Sequence, residues 1–569
     1  MNLRSAVAVG VLAACIGCSS SGEAHRAALD RLFEEYYEFL LRSSPELATD
    51  VGRRDYNDRW TDYSLQGREA FRAQQRSFLE RVQQIAADGL SEQETISRTL
   101  LVDDLEQSLE GRELEDYLLS TNQLFGLHAR VPLTIAQMPA DTVDDYENII
   151  ARIEATRGYA DQVIELLKEG IEAGITQPRY IGETIAGQMD AQAELTAADS
   201  PILAAFRDFP DGLDAGRREV LTESAERAYQ SSFQPAWRKL AAFMKVTYAP
   251  AGRAELAITS LPDGANRYAY LVRRYTTTGM TADEIHELGL EEVERIEAEM
   301  DEIARAQGFE DAASYERMLN SSPAQRFSSK EEMLEYCRNI AKLVDPGLPQ
   351  LFLKLPRAPF GIRAISEDTE AASASNYQQP ASDGTRAGWF NLKAYDPNNQ
   401  VRFDKAALVL HETNPGHHLQ IASQLEIEDV PEFRKIYNAT AYIEGWALYA
   451  ESFGDRLGAY ADPASRFGAL HSERFRARRL VVDTGIHAKG WSHEQAVAYL
   501  GDESEVNRYV AWPGQALAYK IGQLKILELR QRMQQEMGER FDIREFHDLI
   551  LRNGPLPLDL LEDRVLAAS

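Results

Sequence analysis

The sequence predicts a mainly α-helical protein: a large helical body split by a deep cleft, carrying one short strand-like stretch. Three observations lead there. Apolar residues recur at three- and four-residue steps, flanked by charges, through most of the chain. Strand character is confined to the neighbourhood of residues 387–393. The chain has 569 residues with 44% apolar content, enough for a large core and too much for a disordered chain.

The first element is a targeting segment. Met1-Asn2-Leu3-Arg4 carries a positive charge, and Ala6 to Ala14 is an apolar run too short to span a bilayer. Leu12-Ala13-Ala14-Cys15 resembles a bacterial lipoprotein cleavage box. Cys15 fits it best and Cys18 is the alternative; a plain secretory signal is the other reading. Residues 1–22 are thus a signal peptide and a Ser/Gly tether. The expected location is the bacterial cell envelope, in the periplasm and at the outer membrane, with membrane contact only through the N-terminal lipid.

Helical periodicity follows over residues 26–46, 66–88, 91–119, 142–173, 177–195, 215–247, 281–307 and 329–343. Thr281-Ala282-Asp283-Glu284 reads as a capping start. Pro349, Pro356, Pro359 and Gly361 then break the pattern, and Gly388-Trp389-Phe390-Asn391-Leu392 reads as a strand. Helices return over 405–425, 431–456, 463–489, 492–500, 503–509, 513–536 and 543–550. No linker separates independent domains. Residues 23–569 are therefore one domain, with an N-terminal helical lobe (23–350) and a second lobe (351–569) that holds the chemistry.

That chemistry begins at His411-Glu412-Thr413-Asn414-Pro415-Gly416-His417-His418. Imidazole and carboxylate suit a borderline-soft divalent cation, most commonly zinc. The run resembles the zincin signature H-E-x-x-H with Pro415 and Gly416 inserted. A straight helix forms no chelate here. His411 and His417 point to different faces, and His411 and His418 stand roughly 10 Å apart along the axis at ~1.5 Å per residue. Pro and Gly can loop out two residues, which restores His411-Glu412-x-x-His417. His417 is the expected second ligand and His418 the alternative. Glu444, on an apolar helix in Tyr442-Ile443-Glu444-Gly445-Trp446-Ala447-Leu448-Tyr449-Ala450-Glu451, is the expected third ligand, since a Glu there is costly unless paired or metal-bound. Glu451 or Tyr442 would orient the ligands from behind.

A net charge of −29 argues against nucleic acid as a partner, because phosphate contact needs basic surface. Of three cysteines, two lie in the targeting segment, so Cys337 has no internal disulfide partner and is expected as a small buried residue.

The His411–Gln420 and Glu444–Tyr449 stretches resemble the domain-of-unknown-function-885 family of bacterial proteins. So do Asp483-Thr484-Gly485-Ile486-His487 and the run from Arg508-Tyr509 through Trp512-Pro513-Gly514-Gln515 to Tyr519. That family looks like a distant relative of the gluzincin metallopeptidases, the thimet oligopeptidase and angiotensin-converting-enzyme group. The resemblance implies a gluzincin-like fold with a small antiparallel sheet beside the zinc helix. It also implies that residues 387–393 form an edge strand, with Trp389 and Asn391 facing a bound peptide; a buried strand without substrate contact is the plainer alternative.

Zinc held by His411, His417 and Glu444 would activate water, with Glu412 as general base. His487, Tyr509 and Tyr519 are candidate oxyanion donors. Arg508 and the Arg474, Arg476, Arg478 and Arg479 cluster either clamp a substrate carboxylate or pair with acidic neighbours; Asp483 is placed to position one of them. The expected function is a zinc-dependent peptidase acting on oligopeptides. The inserted Pro-Gly leaves a second reading, a non-catalytic peptide- or metal-binding lipoprotein on a peptidase scaffold. Hydrolysis of a non-peptide amide or ester is a third.

Overall fold

The computed structural model describes residues 7–568 apart from 366–373, 382–383 and 385; side chains within 1–22 and at 568 are not among those described. Cys15 and Cys18 therefore lie outside the described residues. The fold is mainly α with one three-stranded sheet. No helix among the described residues is long and apolar enough to cross a membrane.

The chain divides into two compact units, one running to Arg267 with Val430–Arg434 added, the other Tyr268–Asp429 with Lys435–Ser569. The division falls at residue 267, not at the 350 drawn from sequence. Its cause is the Ala282–Ala306 helix, which packs along Pro463–Lys489: a Cβ at Gly289 would lie 2.8 Å from Leu480 and Val481 side-chain atoms. Residues 268–350 thus share a core with the C-terminal helices. Val293, Ile296, Met300, Phe403, Phe467 and Leu470 are buried together there.

In the first unit the expected 142–173 helix is Val143–Glu172, opened by a capping box between Thr142 and Asp145. Arg152 on it is fully buried and donates to the carbonyls of Pro45, Tyr56 and Arg59 and to Thr49 Oγ1. Those bonds answer the cost of burying its charge. The 430–434 segment belongs here because Phe433 packs 5.2 Å from Phe33 and Arg434 donates to Ser97 Oγ at 2.9 Å. The 215–247 helix is interrupted by π turns at Tyr229–Phe233 and Met244–Tyr248. Leu127–Gln137, with Pro132 inside it, is a helix that the sequence reading did not include.

In the second unit the sheet order is β1 (Phe360–Ala364), β3 (Gly388–Leu392), β2 (Asn376–Gln378). β1 pairs with β3 in parallel and β2 with β3 antiparallel, so the sheet is mixed and not the antiparallel one expected. A parallel pair cannot be joined by a tight hairpin, and β1 and β3 are far enough apart in sequence for the longer connection it needs. The expected edge strand 387–393 is corrected too: β3 is central, and its backbone groups are taken on both sides. Among the described residues the edges are β1 and β2.

The expected 405–425 helix is two helices, Lys405–Glu412 and His417–Leu425. The 431–456 segment is likewise broken, into Glu432–Ile436, Thr440–Glu451 and Gly454–Leu457. Thr440–Glu451 lies against Ala518–Met537 at backbone contact: a Cβ on Gly445 would strike the Gly522 backbone, and one on Gly522 the Ala441 carbonyl. Two glycines meeting at one crossing bring these helices closer than any larger pair allows.

Candidate metal centre

The first zinc-signature helix stops at Glu412. Thr413 (φ −114°, ψ −137°) leaves the helical region, the Asn414–Pro415 peptide is cis, and Gly416 (φ −80°, ψ −127°) starts the next helix at His417. Gly416 is required by close approach: a Cβ there would overlap the carbonyls of His411 and Leu410. The looped residues are pinned by Trp446, whose Nε1–H donates to the Pro415 carbonyl at 2.9 Å. Trp446 lies two residues after Glu444 on the same helix, so one helix fixes both the bulge and the carboxylate.

The bulge brings His411, His417 and Glu444 together, with one ligand atom from each lying within 4.8 Å of the others. Glu444 Oε2 is 3.6 Å from His411 Nε2 and 3.4 Å from His417 Nε2. Two ligands each about 2.1 Å from a tetrahedral zinc stand about 3.4 Å apart, whereas a direct N–H···O bond spans about 2.7–3.2 Å. The spacing therefore fits a shared cation better than hydrogen bonds. Glu444 Oε2 is also a buried acceptor without a hydrogen-bond partner. By donor chemistry and by spacing the three residues fit zinc.

Behind the cluster, Glu451 Oε1 sits 2.8 Å from His411 Nδ1, and Arg476 Nη2 lies 3.6 Å from the same oxygen. His411 thus gives Nδ1–H to Glu451 and turns Nε2 toward the shared space. Burial works against a charged His411, yet without a cation Glu444 and Glu451 hold it protonated, up to about 10. Glu444 is held well below the ordinary carboxylate range by His417 and His411, against the effect of burial. Glu412 is pushed up by burial, with His417 and His411 opposing, and its Oε2 is buried without a partner.

His418 has a different job. Its Nδ1 accepts from Tyr377 Oη at 2.9 Å and its Nε2–H donates to the Ala358 carbonyl at 3.0 Å; burial pushes it down to about 4. It ties the second helix to the sheet. Tyr377 on β2 also lies parallel to His417 at 6.5 Å between ring centroids. Sequence reading missed Tyr377, because nothing in a small polar stretch marks it; only the fold carries it to the histidines.

Among the expected donors, Tyr519 lies with its ring parallel to His411 at 6.3 Å between centroids. Its hydroxyl oxygen accepts from Arg508 Nη2 at 3.2 Å, which leaves its own proton to donate. Tyr509 Oη instead donates to Glu505 at 2.8 Å, and His487 Nε2–H donates to the Tyr509 carbonyl at 3.1 Å, so both donors are used inside the fold. Trp389 lies under the Arg363 guanidinium, and Asn391 bonds to Arg363 and Asn376, so both serve the sheet. Arg474 and Arg478 pair with Glu316 and Glu297. Asp483 accepts from Tyr268 Oη and the Gly514 N–H, and the arginine that acts on it there, Arg508, does so through its charge. Tyr442 donates to the Ile550 carbonyl, away from the ligands. Cys337 is buried and free.

The family described as bacterial protein of unknown function (DUF885) matches residues 45–565. The chain is similar to a candidate lipoprotein from Colwellia psychrerythraea, at 27% identity and a TM-score of 0.92. That match covers 96% of this chain and 99% of the other. A candidate lipoprotein of unknown function from Shewanella oneidensis shares the fold at 17% identity and a TM-score of 0.73, covering 95% and 99%. No curated protein matches the chain.

Proposed function

Because the chain belongs to the bacterial DUF885 family, which fixes its kin and not its chemistry, we propose from the geometry of its own residues that it is a zinc-dependent hydrolase, a peptidase cleaving oligopeptides at the cell envelope. One observation carries the reading. Two imidazole nitrogens and an unpartnered carboxylate oxygen converge at metal-ligand spacing, with a second buried carboxylate, Glu412, directly after the first ligand in sequence. Two His and one Glu leave one position open, which distinguishes a catalytic from a structural zinc site.

His411 Nε2, His417 Nε2 and Glu444 Oε2 would hold the ion, and Glu451 fixes the tautomer of His411. When bound, zinc supplies a Lewis acid that polarises a carbonyl and makes water nucleophilic at neutral pH. Glu412 takes the proton from the attacking water and returns it to the leaving amine; burial, which raises its proton affinity, suits that shuttle. Tyr519 donates its hydroxyl proton to the oxyanion that develops. The envelope location draws support from Leu12-Ala13-Ala14-Cys15 and from the likeness to a candidate lipoprotein at 27% identity.

The test is cleavage of a mixed peptide library by the zinc-loaded protein and by Glu412→Gln. Loss of cleavage in the variant, with zinc content unchanged, is the expected result. Equal cleavage by both would remove Glu412 from its role. Bound zinc without turnover of any peptide would leave a binding protein on a peptidase scaffold.

A further inference from the structure

A group of fixed charges stands behind Tyr519 that the hydrolytic chemistry above does not use. The Arg479 guanidinium lies 4.5 Å from the Tyr519 ring centroid, with the Phe475 ring at 5.0 Å and the Tyr509 ring at 5.9 Å. Arg508 Nη2 donates to Tyr519 Oη and to Gln515 Oε1. Both arginines bond to one carboxylate: Arg479 Nη2 reaches Glu505 Oε2 at 3.0 Å and Arg508 Nη1 reaches it at 3.2 Å. Burial works to raise Glu505, but the two guanidinia hold it down to about 2. Two cations and one anion leave this group one positive charge in excess.

That excess sits in poor solvent. The Arg479 side chain is 8% exposed, and its Nε and Nη1 have no hydrogen-bond partner. A buried cation that shares its carboxylate partner with a second cation is costly, and a further anion relieves it. On the same helix Arg474 and Arg478 each have a carboxylate within 2.8 Å, Glu316 and Glu297. The group is also open at one end, where the Arg508 side chain keeps 19% of its exposure, about the same as the 18% kept by the ligand candidate Glu444. Tyr519 bridges the two places: its hydroxyl accepts from Arg508, and its ring lies parallel to that of His411 with 6.3 Å between centroids.

We propose that Arg508, backed by Arg479, is a carboxylate subsite that selects peptides by their free C-terminus, so that cleavage adds water across an amide near that end and releases a short C-terminal fragment. The inference rests on the hydrolase reading for the cleavage and on the charge group alone for the binding. A peptide carboxylate meeting Arg508 makes charge-assisted hydrogen bonds that a C-terminal amide cannot match. The preference for acid over amide is about tenfold or more.

The experiment measures calorimetric binding of one peptide, as free acid and as C-terminal amide, to the zinc-loaded full chain carrying Glu412→Gln. The acid binds at least about tenfold tighter, and Arg508→Gln abolishes the difference while zinc content and amide affinity are kept. Equal affinity for acid and amide, or no binding of either, overturns the subsite without any variant that must fold. A preference that survives Arg508→Gln overturns its assignment to this arginine. The two readings fail separately. Acid-selective binding with no turnover by the unmutated protein sinks the hydrolase and keeps the subsite. Cleavage that depends on Glu412, with acid and amide bound alike, does the reverse.

Discussion

Glu451 Oε1 lies 2.8 Å from His411 Nδ1, on the edge of the ring away from the nitrogen that faces Glu444. The two residues stand 40 apart in sequence and are both nearly buried. This carboxylate decides which His411 nitrogen is free to bind a cation. Glu451→Gln keeps the shape but removes the charge and allows the amide to present the wrong group. Zinc affinity is expected to fall by about 10–100-fold, read by competition with a chromogenic chelator, while the helix content stays as it was. Unchanged affinity would mean that Glu451 serves packing alone.

The two adjacent histidines separate ligand from brace. His417→Ala removes one of three converging donors, so the protein should lose tight zinc while its fold survives. His418→Ala should do the opposite. It leaves zinc bound and strands Tyr377 Oη and the Ala358 carbonyl, at a cost of about 1–3 kcal/mol, seen as a lower urea midpoint. Zinc loss in His418→Ala with retention in His417→Ala would reverse the assignment.

Much of this was legible in the residues. The long helices follow from apolar spacing, and Thr281 with Glu284 does form the capping box that the sequence suggests. The bulge could be anticipated because only Pro415 and Gly416 break an otherwise regular signature. The sheet could not be read so well. The local residue pattern identifies β3 but says nothing of its partners, which lie elsewhere in the sequence; hence an expected edge strand turned out to be central. The charge group behind Tyr519 was only partly visible. Arg479, Glu505, Arg508 and Tyr519 come from three helices, and no local pattern states which acid an arginine will meet. The one available sign was the arginine run Arg474, Arg476, Arg478 and Arg479 on the helix Pro463–Lys489, and that sign does not separate Arg479 from the already matched Arg474 and Arg478.

Asp483 gives a stability test away from the metal ligands. It is fully buried, accepting from Tyr268 Oη at 2.6 Å and from the Gly514 N–H, and so clamps the turn before Tyr519. Burial pushes it up to about 7; Tyr268, the Gly514 N–H and the Arg508 charge only partly oppose this. In the unfolded chain an Asp titrates near about 3.9. Between those values the unfolded state has lost a proton that the folded state keeps, so stability falls as pH rises. The contribution is whole below about pH 4, declines by about 1.4 kcal/mol per pH unit, and is gone above about pH 7. Asp483→Asn keeps an acceptor oxygen for the same partners and cannot titrate. Urea midpoints of the two proteins from pH 4 to 8 should therefore converge or cross as pH rises, the unmutated protein losing its advantage. A difference that stays constant, or grows in favour of Asp483 at higher pH, would show that the carboxylate is already ionised in the folded protein at pH 4.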